Sequence, residues 1–292
     1  MVDYIKPVTS CEEQIEILKS RNLIIHNEPQ AIQHLKNVGY FRLSGYWLSF
    51  YERRDWFKDG TTFEDIMNIY KFDIGLKNLL NDLLGEIEIN FRTSISQCFA
   101  HEFSPIDHYN SNNFAHEGMY ISWFNEFEDQ IRKAEKRREL YVTHYISKYD
   151  RIFPIWVALE MTSFGDLSKF YSNLNNATKA TISRNTTNVH FKYMKNWLYV
   201  FAVTRNICAH YSRIYDKRLH ICPKLSLQDK ASLNIDNSKI FAVIYTAKKM
   251  CINDDKWTLF VFQLKELVAE YQDSIDLSKI GFPANWEGIL TS

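Results

Sequence analysis

Arg205, Asn206 and His210 stand within one short run, Arg205-Asn206-Ile207-Cys208-Ala209-His210, and these residue types form an economical kit for cutting RNA without a metal. An imidazole exchanges its proton near neutral pH, so it can take the proton of a 2'-hydroxyl or give one to a leaving oxygen. A guanidinium keeps its charge and can hold a phosphate together with the negative charge that develops on it. The expected products are a 2',3'-cyclic phosphate and a 5'-hydroxyl. On an ideal helix Asn206 and His210 form an i,i+4 pair that can touch, so Asn206 is expected to fix the imidazole. Arg205 falls about 140° from His210 around such a helix. It must therefore reach round the helix or act across a dimer, and a composite site is the expectation.

Spacing alone is weak evidence. Arg followed by His after four to six residues should arise by chance on the order of once in a chain of this content. It occurs six times, since Arg21 with His26, Arg137 and Arg138 with His144, Arg184 with His190, and Arg213 with His220 also fit. What sets 205/210 apart is its surroundings. Helical spacing over 190–215 places Lys192, Lys195, Tyr199, Asn206, His210 and Arg213 within about 60° of one another. Tyr193, Trp197, Val200, Phe201, Ile207, Tyr211 and Ile214 fall mostly on the opposite side, which fixes that face in the core. Between 191 and 218 there are six Lys or Arg and one acid, Asp216, in a chain whose 35 basic and 35 acidic residues cancel overall. Lys192, Lys195, Tyr199, Tyr211 and Arg213 are accordingly the candidate RNA-binding residues, the cations for phosphates and the rings for stacking. The plainer reading of the same stripe is a basic solvent face.

The elements that must position this run are helices. Short helices are expected at 11–20 and 28–37, followed by an aromatic segment at 38–47. Apolar residues recur at helical spacing from Phe63 to about Phe103, which predicts one long helix, with Gly75 and Gly85 as places for a kink. Residues 104–118 read as a loop whose nearby histidines, His101, His108 and His116, are solvated. A second long helix is expected over 120–148, with the charged run 132–139 as its solvated face. Pro154 opens a helix to about Thr162, and Ser163 caps the next one. Further helices are expected at 190–215, 238–252 and 256–274. Strand-like alternation is nearly absent, so the class is all-α.

Composition narrows the functional classes. With 46% hydrophobic and 15% aromatic residues in 292, the chain can bury a sizeable core, which excludes a disordered segment or a disulfide scaffold. No leader-like start and no apolar run of membrane-spanning length appear, so a cytoplasmic protein without a membrane partner is expected. Five cysteines without CxxC spacing suit reduced, structural thiols. There is no HExxH, paired carboxylate set or histidine cluster at ligand spacing, so neither metal nor cofactor is expected.

Three ordered segments resemble the Abi-like proteins of bacterial phage abortive infection, AbiD and AbiF among them. They are Val38-Gly39-Tyr40-Phe41-Arg42-Leu43-Ser44-Gly45-Tyr46, then residues 154–168 from Pro154 through Glu160 and Gly165-Asp166-Leu167 to Ser168, and finally residues 205–213 from Arg205 to Arg213. The likeness spans about residues 12–225. It implies a HEPN-type helical bundle with additional N- and C-terminal helices, paired as a homodimer whose Arg-x4-6-His helices face each other. It assigns catalysis to Arg205 and His210, with Asn206 in support. It also implies a toxin-like ribonuclease, with a small noncoding RNA antitoxin as the restraint in some members. On this basis the chain divides into an N-terminal segment (1–60), a HEPN-like core (61–225) and a C-terminal extension (226–292), in one compact body. Outside the site, Arg42 is expected to pack on aromatic rings in preference to contacting RNA, Glu160 to pair with a basic residue of the 190–215 helix, and Cys208 to lie in the core. The rival class is a non-catalytic RNA-binding or homodimerising protein on the same helical fold.

Overall fold

The computed structural model describes residues 7–292, the side chains at 231 and 232 excepted. In chain order the helices are α1 (Cys11–Ser20), α2 (Glu28–Val38), α3 (Tyr40–Ser44), α4 (Phe63–Glu102), α5 (Glu117–Lys136), α6 (Leu140–Lys148), α7 (Ile155–Met161), α8 (Phe164–Asn173), α9 (Asn176–Thr186), α10 (Phe191–Ala209), α11 (Leu227–Leu233), α12 (Ile240–Met250), α13 (Asp254–Tyr271) and α14 (Trp286–Thr291). Among the described residues the only sheet is an antiparallel pair, β1 (Tyr51–Arg53) with β2 (Trp56–Phe57). The fold is all-α, as the periodicity predicts.

The axis of the molecule is α4, 40 residues without interruption and about 60 Å long at the usual rise. Thr62 and Asp65 start it with a capping box: the Thr62 hydroxyl accepts the Asp65 N–H at 3.1 Å, and the Asp65 carboxylate accepts the Thr62 N–H at 2.9 Å. Ile66, Phe72, Leu76, Leu80, Leu83, Leu84, Ile87, Phe91, Ile95 and Phe99 along it are buried, and α13, α10, α7 and α9 pack around it. Neither Gly75 nor Gly85 breaks it. Gly75 instead lets α13 come close, since a Cβ there would stand 2.5 Å from Leu267 Cδ1. The buried apolar cluster runs from Ile15 to Leu290.

Two expectations fail here. The 120–148 helix is two helices, α5 and α6, because Arg138 takes a left-handed φ of 58° and turns the chain within its own basic run. The 104–118 loop contains two 3-10 turns, and its His108 is not solvated but fully buried. The ring sits 4.3 Å from Tyr109 and 5.8 Å from Phe127, centroid to centroid. Burial, partly offset by the Pro105 carbonyl, pushes its pKa down to about 3. A neutral buried imidazole carries a pH signature: its stabilising contribution is complete above the unfolded-state value of 6.5 and is lost as pH falls toward 3. Urea titrations between pH 7 and pH 4 should lose up to about 1.4 kcal/mol of stability per pH unit from this group. His108→Leu should flatten that slope, and an unchanged slope would show that the ring is not buried neutral.

Candidate functional site

The site is built at the C-terminal end of α10. His190 caps its start, Nδ1 accepting the Lys192 N–H at 3.2 Å. Met194, Trp197, Leu198, Val200 and Phe201 are buried, while Lys192, Lys195, Tyr199 and Asn206 are exposed, as the stripe requires. Cys208 is in the core, and burial pushes its thiol up to about 12, so it is no nucleophile.

The helix stops at Ala209 rather than continuing to 215. His210 is its cap residue, Tyr211 swings to a φ of 52°, and the chain closes on itself: Tyr211 N–H donates to the Cys208 carbonyl and Ser212 N–H to the Ile207 carbonyl, both at 3.0 Å. This is a Schellman motif with tyrosine where glycine is usual. A non-glycine left-handed residue costs on the order of 1 kcal/mol, so something must hold it. Arg42 Nη1 donates to the Tyr211 carbonyl at 2.7 Å, and Lys77 Nζ reaches the same oxygen at 3.4 Å. Arg42 thus does not pack on aromatic rings; its work is to grip the helix end. Tyr211 is exposed rather than core, and Arg213 lies beyond the helix. Its Nη1 donates to the Tyr215 carbonyl at 3.1 Å, and its side chain lies beside Gly45.

A buried polar hub secures the segment that follows. Asp73 of α4, with no exposed surface, accepts the backbone N–H groups of Ile214 at 3.1 Å and Tyr215 at 2.8 Å. It also accepts the Tyr46 hydroxyl at 2.6 Å and pairs with the equally buried Lys77 at 2.9 Å. Burial and the neighbouring carboxylate push the Tyr46 phenol up, which keeps it a donor. Tyr46 of the N-terminal aromatic segment and the chain just beyond α10 therefore meet on one carboxylate.

A second chain of charges fixes Arg205. Its Nε is buried and faces Glu88 Oε2 at 3.4 Å, while the side chain as a whole stays 40% exposed. Glu88, itself buried, pairs through its other oxygen with Arg92, whose Nη1 donates to the Thr162 carbonyl at 2.9 Å. Glu160 lies 3.8 Å from Arg92 Nε, so its partner is on α4 and not on α10 as expected. All three quoted segments, 38–46, 154–168 and 205–213, are thereby tied to one stripe of α4.

Arg205, Asn206 and His210 occupy the last turn and cap of α10. Asn206 and His210 are exposed, and their only direct hydrogen bond is backbone, His210 N–H to the Asn206 carbonyl at 3.0 Å. Neither the imidazole nor the Asn206 amide has a hydrogen-bond partner among the described residues. Of the other Arg and His pairs, Arg21 is spent on Tyr40 and Asp55, at 3.2 Å each, Arg138 forms the break after α5, and His190 is a cap. The residues that the sequence reading missed are Asp73, Lys77, Glu88 and Arg92. Their signal was two acid-before-base i,i+4 pairs set into the apolar face of a long helix. Among the described residues no three His, Cys, Asp or Glu side chains group as metal ligands, and no helix is long and apolar enough to cross a membrane.

No curated protein and no solved structure matches the chain. The model of the Abi-like protein family matches residues 33–216, well over half of the chain, and the match takes in all three segments that converge on α4 and the end of α10. The chain belongs to the Abi-like protein family.

Proposed function

We propose that this protein is an endoribonuclease of phage abortive infection that works without a metal, its centre being Arg205 and His210 on a HEPN-type helical fold. The observation that carries the reading is the end of α10. There an imidazole stands exposed and uncommitted, one turn from a guanidinium held by a buried carboxylate, and separate parts of the chain are recruited to hold that helix end in place. His210 takes the 2'-hydroxyl proton as the oxygen attacks the adjacent phosphorus, Arg205 neutralises the phosphate, and the 5'-oxygen leaves with the proton that the imidazole has gained. A second copy of the chain supplies the Arg205 that works with each His210 in the homodimer we infer; Phe41, 92% exposed, and Tyr211, 49% exposed, flank the site with apolar surface that a partner would cover. Family membership supports the abortive-infection role. The exposed basic stripe supports RNA as the substrate, and a small noncoding RNA restraining the enzyme would use the same face.

Purified protein should cut RNA in EDTA and leave 2',3'-cyclic phosphate ends, with Arg205→Ala and His210→Ala both defective. Equal cleavage by all three proteins would remove this site from the account. One observation favours a second reading, in which the protein binds RNA without cutting it: Arg205 Nε already faces Glu88, which suits a structural ion pair. That reading predicts RNA retention without cleavage, and no growth arrest that depends on His210.

A further inference from the structure

A cavity of about 400 Å³ opens beside the first two turns of α10, lined by Lys169, Lys192, Lys195, Lys224, Tyr199 and Met119 among others. Its size falls within the usual range for a small-molecule site. Four lysines line it and no carboxylate does. Lys169 is balanced by Asp166 at 2.9 Å, but Lys192, Lys195 and Lys224 form no ion pair among the described residues. The arrangement is built rather than incidental. Asn196 Oδ1 accepts the Lys224 N–H at 2.6 Å, and Trp197 Nε1 donates to the Lys224 carbonyl at 2.8 Å, so α10 fixes the backbone that carries Lys224. Behind Lys195 lies a fifth cation, the buried Lys179, which donates to the Ser172 carbonyl at 3.2 Å. Its pKa is lowered, first by burial and then by Lys195. So much uncompensated positive charge in one concavity favours an anion. The exposed ring of Tyr199, at 46%, adds a flat face at the rim, which a phosphate alone or an acidic peptide would not use.

We propose that this cavity is a nucleotide subsite for the RNA, its lysines taking phosphates and Tyr199 stacking on a base. The inference rests on the ribonuclease reading for the identity of the polymer and adds to it a place where the strand is anchored. Tyr199 and His210 lie on the same side of α10, about 16 Å apart along its axis. A strand seated in the cavity therefore reaches His210 several nucleotides away, and cleavage is set at a fixed distance from the anchored base.

The experiment measures binding of a fluorescent single-stranded oligoribonucleotide to full-length His210→Ala protein, which leaves the strand uncut, over a range of salt. Nucleoside monophosphate and inorganic phosphate serve as competitors. Tyr199→Ala should weaken binding about tenfold. Lys192→Gln and Lys195→Gln should each weaken it and reduce the salt slope by about one. All three side chains are exposed, so unchanged melting temperatures certify the variants as folded. Undiminished binding in these variants, or no binding of RNA by the parent, overturns the proposal. Nucleoside monophosphate or inorganic phosphate that displaces the oligonucleotide at concentrations below those at which the oligonucleotide itself binds would reassign the cavity to a free small anion and overturn it as an RNA anchor. The two readings fail separately. Loss of binding in the cavity variants while His210→Ala still cuts would remove the catalytic assignment and leave the anchor. Normal binding in those variants, with cleavage that needs His210, would do the reverse.

Discussion

Asp73→Ala should lower the stability of the protein by about 3–5 kcal/mol, which for a chain of this size is a fall in melting temperature on the order of 10 °C. The reasoning is one of stranded partners. The carboxylate, fully buried, is the shared acceptor for two backbone N–H groups, a phenol and an ammonium. Removing it leaves Lys77, 1% exposed, as an uncompensated buried charge. The N–H groups of Ile214 and Tyr215 are left without an acceptor as well. Asp73→Asn keeps one acceptor oxygen but still strands the ammonium, so it should cost nearly as much. Pairing it with Lys77→Met should recover a good part of the loss, because the charge is then gone along with its partner. The recovery is the informative measurement. If Asp73→Asn/Lys77→Met melts no higher than Asp73→Asn, the ion pair is not what the hub depends on. Any folded fraction of Asp73→Ala should also cut RNA poorly, because the segment that clamps the end of α10 loses its anchor.

That hub marks the limit of what the sequence makes legible. The long helices are readable because their apolar residues recur with the helical period for many turns, as from Ile66 to Phe99. Their ends are not, and for one reason. Two turns that redirect the chain use left-handed residues that are neither glycine nor asparagine, Arg138 and Tyr211, so the usual stop signal is missing. At Tyr211 the conformation is enforced from 169 residues away by Arg42, a contact no local pattern reports. The helix α9 carries no legible signal because its sequence, Asn176–Thr186, is polar and only weakly amphipathic. For the site, Arg205, Asn206 and His210 are legible from residue type and spacing, and Asn206 and His210 also from the stripe they share. The carboxylate that faces Arg205 is not, because Glu88 is distant in sequence and looks like an ordinary helix charge. Family likeness marked residues 38–46 and 154–168 without a reason. The structure supplies one: Arg42 and Tyr46 from the first, and Thr162 from the second, are the groups through which those segments are tied to the helix that bears the site.

His210→Ala and Arg205→Ala should each lower RNA cleavage by about 10²–10⁴-fold, the usual worth of a general acid or base or of a charge placed on the reacting phosphate. Stability should hardly change for His210→Ala, since the exposed imidazole has no partner and the helix cap is made by backbone and by Arg42. Arg205→Ala should cost more, because it frees the buried Glu88 oxygen that faces Nε. The double variant should be little worse than either alone, as expected for groups that act in one step. Mixing the two inactive proteins asks a sharper question. Their sequence positions put Arg205 and His210 on different sides of an ideal helix, so we expect the working pair to be Arg205 of one protomer with His210 of the other. Random exchange makes about half of the dimers mixed, and each mixed dimer then holds one intact pair out of two. Cleavage by an equal mixture should therefore return to about a quarter of the wild-type rate after the subunits have exchanged, without either variant having gained activity on its own. A mixture that stays inactive, with subunit exchange verified independently, would place Arg205 and His210 of each reaction in a single chain and make the exposed surface around Phe41 and Tyr211 incidental to catalysis.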